Sequence, residues 1–181
     1  MILVTGGCRS GKSEYGEELA AAMGEKKLYI ATGRIFDKEL ERRVEKHRQR
    51  RGPLWTTHEG YSHLEDLDYN GYGAILLDSV TAMATNLFFD EVGESTDYEA
   101  VDYETVEKHI LAVFVQLAER VLENKIPMIM VTDEIGLGVV PGTPLGRGFR
   151  DILGQVNQYL AKSAEEVYLV ISGIPVRIKP Q

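Results

Sequence analysis

Met1-Ile2-Leu3-Val4-Thr5-Gly6-Gly7-Cys8-Arg9-Ser10-Gly11-Lys12-Ser13 opens the chain. Ile2-Leu3-Val4 is a short, wholly apolar run of the kind that forms a strand buried on both faces. Gly6 to Ser13 satisfies G-x-x-x-x-G-K-[ST] at every fixed position, and residues from about 12 to 23 continue as a helical pattern. Strand, glycine-rich loop and helix, in that order, is the context in which this pattern binds phosphate. The glycines let the loop close tightly with its backbone N–H groups pointing inward, and the helix N-terminus adds positive dipole. Lys12 is expected to reach the β- and γ-phosphates of a nucleoside triphosphate, and the Ser13 hydroxyl to ligate Mg²⁺. The nucleotide-binding candidates are therefore Gly6, Gly7, Cys8, Arg9, Ser10, Gly11, Lys12 and Ser13. Cys8 reads as a small side chain tolerated in the loop. The bland alternative is a glycine-rich strand-to-helix turn.

Outward from this loop, short apolar runs alternate with longer amphipathic ones. Leu28 to Ala31, Trp55 to Thr57, Ala74 to Asp78 and Pro127 to Val131 read as strands. Helical patterns run over about 37–50, 98–124 and 144–162, and Val106, Ile110, Val113, Leu117 and Val121 give the second of these one apolar stripe. Val167 to Ile171 and Val176 to Ile178 flank a turn at Gly173 and predict an antiparallel hairpin. The acidic segment from Asp90 to Asp102 reads as an exposed excursion. Strands alternating with helices, several strands uniformly apolar, imply an α/β fold with a mainly parallel sheet covered on both faces. No repeat or linker divides the 181 residues, so one catalytic domain over 1–181 is expected.

Composition narrows the partners. A net charge of −8 argues against nonspecific nucleic-acid binding, although Arg48 to Arg51 form a local basic patch. A single cysteine allows no intrachain disulfide. No apolar run approaches the roughly 20 residues needed to span a bilayer. The opening residues lack a basic segment and a long apolar core, so no signal peptide and a cytoplasmic location are expected.

A phosphate loop requires a carboxylate to organise magnesium, commonly at the end of an apolar strand. Asp78 is the natural candidate; Asp133 and Glu134 end a second apolar strand and compete with it. For each, the alternative is capping of a following helix. In the charged stretch from Lys38 to Arg51, Leu40, Val44 and His47 fall at steps of four and three, on one helix face. An inward histidine among Lys46, Arg48, Arg50 and Arg51 could meet a polyphosphate; by spacing alone it reads rather as an ordinary packed histidine. His58, His63 and His109 show no such arrangement, and no His/Cys cluster suggests zinc.

The sequence resembles the bifunctional adenosylcobinamide kinase / adenosylcobinamide-phosphate guanylyltransferase family nearly end to end. The resemblance runs through the loop, Tyr29-Ile30-Ala31-Thr32, Arg43-Val44 before His47, Trp55 with Glu59, and Leu76-Leu77-Asp78 with Thr85-Asn86-Leu87. Its most specific parts are Val131 to Pro141, Phe149-Arg150-Asp151, Gly154 to Gln158, Glu166 to Val170 and Ser172-Gly173-Ile174. It implies a RecA-like P-loop fold, a homotrimer, and ATP and GTP as substrates with Mg²⁺. The implied activities are phosphorylation of the aminopropanol hydroxyl of adenosylcobinamide, then GMP transfer from GTP to the resulting phosphate through a covalent guanylyl-histidine. His47 matches that histidine. The nucleotide contacts implied are the loop, Ala31, Thr32, Gly33, Arg48, Gln49, Arg50, Arg51, Glu59 and Asp78. Three departures stand out: Cys8 replaces a usual alanine, Asp133 stands where asparagine is common, and Glu45-Lys46 precede His47 where some relatives carry a second histidine.

Overall fold

Strands whose side chains are apolar on both faces must be covered on both faces, and those of this chain join in one sheet. In a computed structural model of the chain, which describes residues 1–34, 52–93 and 97–179, the strands are β1 (Ile2–Gly6), β2 (Lys27–Ala31), β3 (Trp55–Glu59), β4 (Ala74–Asp78), β5 (Met128–Asp133), β6 (Glu166–Ile171) and β7 (Ile174–Lys179). They lie in the order β3-β2-β4-β5-β1-β6-β7. Every pairing is parallel except that of β6 with β7. The exception follows from the connection: Ser172 and Gly173 both take positive φ, 52° and 82°, as a two-residue hairpin turn requires.

The described helices are α1 (Lys12–Ala21), α2 (Val80–Val92), α3 (Tyr103–Asn124) and α4 (Pro144–Ser163). The period of two along each strand divides the interior into two cores. Leu3, Ile30, Leu77 and Met130 share one with buried residues of α2, α3 and α4. Val4, Tyr29, Leu76 and Val131 share the other with Ala20 of α1. A Cβ at Gly16 would lie 2.9 Å from Val131 Cγ2, so α1 rests on β5 through bare backbone. That contact brings the start of α1 close to the strand ends.

The elements follow the expected alternation, with boundary shifts that have local causes. The helix expected from about 98 begins at Tyr103, because the Asp102 side chain accepts the Thr105 N–H and caps it. Its buried stripe is Val106, Ile110, Phe114, Leu117 and Val121; Val113 lies half-buried beside it. The segment from Asp90 to Asp102 is not wholly an excursion: α2 runs on through Val92, whose side chain is buried. β3 extends two residues beyond Thr57, and β7 starts at Ile174 rather than Val176. A single 3-10 turn at Leu64–Asp66, placed by the buried Leu64, had no sequence signal of its own. The charged helical stretch expected over about 37–50 lies outside the described residues. No helix among the described residues is long and apolar enough to cross a membrane.

Candidate active site

In a parallel sheet the carboxyl ends of the strands share one edge, where loops and helix N-termini converge. The loop after β1 is held there from below and from the side. A Cβ at Gly6 would meet Val170 O at 2.6 Å, so β6 leaves room only for glycine. Gly11 has φ 97°, and a Cβ on it would lie 3.2 Å from Gly173 Cα. The Gly173 N–H donates to Ser10 O at 2.7 Å, so the tip of the C-terminal hairpin braces the loop. Ser10 Oγ is buried with no hydrogen-bond partner among the described residues, while Gly7, Cys8 and Arg9 are exposed.

Lys12 and Ser13 meet different acids. Lys12 Nζ donates to Gly7 O at 3.2 Å and pairs with an Asp133 carboxylate oxygen at 2.6 Å. Ser13 Oγ donates to Asp78 Oδ1 at 3.3 Å, and Tyr29 OH donates to Asp78 Oδ2 at 3.0 Å. The register explains the division. β5 lies between β1 and β4, Gly6 is level with Asp133, and Asp78 is level with Val131. Asp133 therefore reaches two residues further past the sheet edge than Asp78.

Both acids are fixed from behind. The capping alternative for Asp78 does not hold, because Ser79 caps α2 by accepting the Ala82 N–H at 3.1 Å. The Asp133 N–H donates to Thr81 Oγ1 at 2.7 Å, and its carbonyl accepts Asn157 Nδ2 at 3.0 Å. Thr132 Oγ1 donates to Asn157 Oδ1 at 2.7 Å within the core. Glu134, the third candidate, turns away and accepts the Gly136 N–H at 2.8 Å.

The ends of β2 and β3 form a second region. A cavity of about 340 Å³ is lined by Ala31, Thr32, Gly33, Arg34, Glu59, Gly60 and Tyr61. It gathers every described nucleotide candidate outside the loop except Asp78. Thr32 is 1% exposed, and its hydroxyl is committed to the Ser79 backbone, donating to O at 2.6 Å and accepting from N at 2.9 Å. Its carbonyl accepts Asn86 Nδ2 at 2.7 Å, so α2 is tied to the cavity wall. At the mouth, Arg34 donates to Asp90 at 2.8 Å and to Tyr61, while Tyr61 OH donates to Asp90 at 2.7 Å. The Tyr61 hydrogen bond, reinforced by Arg34, holds the Asp90 carboxyl below its ordinary range.

Sequence reasoning had singled out the loop, Ala31 to Gly33, Glu59 and Asp78, and the structure sets them along one edge. His47, Arg48, Gln49, Arg50 and Arg51 lie outside the described residues. Tyr29, Thr81, Asn86, Asn157, Arg34, Tyr61 and Asp90 had not been assigned a role. A signal existed for two of them: Asn86 and Asn157 are polar side chains on otherwise apolar buried helix stripes. His63, Glu65 and Asp66 could reach one ion, but His63 and Asp66 are exposed, and exposed acidic groups commonly lie together without a metal.

The geometry offers a cationic, N–H-rich cradle, an oxygen-donor pair beside it, and a cavity at the ends of β2 and β3, with β5 and β4 standing between it and β1, which together suit a nucleoside triphosphate. Comparison with known proteins agrees. Residues 2–178 match the family model described as cobinamide kinase / cobinamide phosphate guanyltransferase. The chain is similar to the bifunctional adenosylcobalamin biosynthesis protein CobU of Escherichia coli, at 46% identity over 99% of both chains. It is 44% identical to that of Salmonella typhimurium over 99% of both chains. The bifunctional adenosylcobalamin biosynthesis protein CobP of Pseudomonas aeruginosa is 33% identical over 98% of this chain and 96% of its own.

Proposed function

The chain belongs to the cobinamide kinase / cobinamide phosphate guanyltransferase family, and on that premise we propose that one phosphate cradle serves both reactions. In the first, adenosylcobinamide takes the γ-phosphoryl group of ATP or GTP. In the second, GMP passes from GTP to adenosylcobinamide phosphate, giving adenosylcobinamide-GDP and pyrophosphate. The observation that carries this reading is the division of labour in the loop, with Lys12 on Asp133 and Ser13 on Asp78. No second G-x-x-x-x-G-K-[ST] run exists in the sequence to house another triphosphate.

Phosphoryl transfer asks the protein for positioning and charge neutralisation rather than covalent chemistry. The Lys12 ammonium has three N–H donors, so it can hold Gly7 and Asp133 and still donate to a phosphate oxygen. Inward N–H groups of the loop hold the remaining phosphate oxygens. The Ser13 hydroxyl and Asp78 carboxylate are hard oxygen donors 3.3 Å apart, a set that fits Mg²⁺, which would neutralise phosphate charge when bound. Tyr29 keeps the second Asp78 oxygen in place. The cavity of Ala31 to Gly33 and Glu59 takes the guanosine end of the nucleotide in this reading.

Guanylyl transfer adds a nucleophile. The neutral imidazole of His47 attacks the α-phosphorus of GTP, a bond to phosphorus forms, and pyrophosphate leaves. A phosphate oxygen of adenosylcobinamide phosphate then attacks the same phosphorus and releases His47. Splitting the transfer into two displacements gives ping-pong kinetics. The attack needs the neutral imidazole, the form that an unperturbed histidine, with a pKa of about 6.5, mostly takes at pH 7. The family resemblance supports assembly as a cytoplasmic homotrimer, which sedimentation equilibrium measures.

The test is a mass spectrum. Wild-type protein incubated with GTP and Mg²⁺ gains one guanylyl group on the peptide that contains His47, labile in acid and stable in base. His47→Ala gains none, loses GMP transfer and keeps the kinase step. An adduct on lysine, or full GMP transfer by His47→Ala, would overturn the histidine mechanism.

A further inference from the structure

Large apolar side chains left at the surface fall mainly into two groups. One is Ile174, Val176 and Ile178 on β7, separated from β5 by β1 and β6. The other is Leu137, Val139 and Val140, 85%, 95% and 59% exposed, in the loop that leaves β5 at Asp133. This loop is anchored at both ends. Glu134 accepts the Gly136 N–H at 2.8 Å, and Ile135 packs against the main core. At the far end the Arg147 guanidinium donates to Pro141 O at 3.2 Å and Gly142 O at 3.0 Å. Between the anchors, three aliphatic side chains point to water, an arrangement that gains free energy only when something apolar covers it.

We propose that Leu137, Val139 and Val140 are the seat of the corrin ring of the acceptor, beside the phosphate cradle. The inference rests on the proposed function and deepens it. Cobinamide is a broad macrocycle with methyl-bearing faces and peripheral amides, and its reacting hydroxyl sits at the end of a flexible arm. In-line transfer requires that hydroxyl roughly 3–3.5 Å from the γ-phosphorus. The macrocycle is too wide to enter the loop after β1, so it must lie on the surface adjoining the Lys12 side. The β5 loop adjoins it directly, since Asp133 pairs with Lys12 and Leu137 follows four residues later. An apolar seat that carries no charged side chain from Ile135 to Gly142 suits a methyl-covered ring face.

The experiment uses the full chain with Leu137→Ser, Val139→Ser and Val140→Ser together, and Val139→Ser alone. Cobinamide binding is measured by equilibrium dialysis, kinase kinetics at saturating nucleotide, nucleotide affinity by titration, and mass by sedimentation. The triple variant should raise the KM and Kd for cobinamide at least about tenfold, with nucleotide affinity and sedimentation unchanged. Val139→Ser should move the same way by less, and the apolar swap Leu137→Met with Val139→Ile should restore wild-type affinity. Unchanged cobinamide KM and Kd in the triple variant, with an active wild type, would overturn the seat and leave the function standing. A variant that changes its sedimentation along with its KM would show a contact between copies of the chain, and would also overturn it. A wild type that binds nucleotide but neither binds nor phosphorylates cobinamide would remove the proposed function, and the seat with it.

Discussion

Asp78 closes β4 and Asp133 closes β5, each after an apolar run, yet the two meet different chemistry. Asp78 lies between two hydroxyls, Ser13 and Tyr29. Asp133 lies on an ammonium, with the Asp133 side chain 26% exposed and that of Lys12 11%. Hydroxyls beside a carboxylate add hard oxygen donors to the set a cation could use, whereas a lysine beside it compensates its charge. The same local sequence, an apolar strand ending in aspartate, thus meets two different sets of neighbours. What separates them is the interposition of β5 between β1 and β4 and the two-residue register offset.

The largest effect expected is that of Lys12→Ala, which removes the cation common to the phosphates and to Asp133. Both activities should fall by at least on the order of 10³-fold in a variant whose circular dichroism remains that of the wild type. Wild-type kinase rates in this folded variant would show that the cradle is not shared.

Asp78→Asn comes next. It keeps the size and one acceptor oxygen but removes the charge that suits a divalent cation, so kcat should drop about 10²-fold while nucleotide Kd moves less than about threefold. Titration with Mg²⁺ should show a raised requirement for the ion.

Asp133→Asn should be the mildest of the three. The amide oxygen still accepts from Lys12, and the backbone of residue 133 stays clamped by Thr81 and Asn157. A change in kcat/KM of about two- to fivefold is expected, within the range of one altered hydrogen bond. If Asp133→Asn proves crippling and Asp78→Asn mild in the same assay, the assignment of the two acids is reversed.

How much of this was legible beforehand depends on the range of each interaction. The loop from Gly6 to Ser13 was readable as a strand-to-helix loop because its pattern is contiguous: glycines, lysine and serine fall within one short stretch. The parallel sheet and the C-terminal hairpin were readable from runs of uniform apolarity and from the short connection at Gly173. Asp78 and Asp133 were both found, but nothing in their neighbourhoods separated them. The capping reading of Asp78 failed on a single residue, since Ser79 stands one place nearer the helix and does the capping. Asn86 and Asn157 could have been suspected as polar residues on buried stripes, though not the carbonyls they bind, which lie 54 and 24 positions away.

The sequence by itself determined the phosphate-loop pattern, the α/β alternation and the candidate acids, because these rest on local spacing and on periods of 2 and 3.6. Tertiary structure decided strand order, and with it which acid faces lysine and which faces serine. It also decided that the hairpin tip braces the phosphate loop and that Leu137, Val139 and Val140 stay uncovered. Those outcomes depend on crossovers between distant segments and on how helices and strands pack against one another. A stretch of sequence states which of its faces is apolar; only the assembled sheet states what lies against that face.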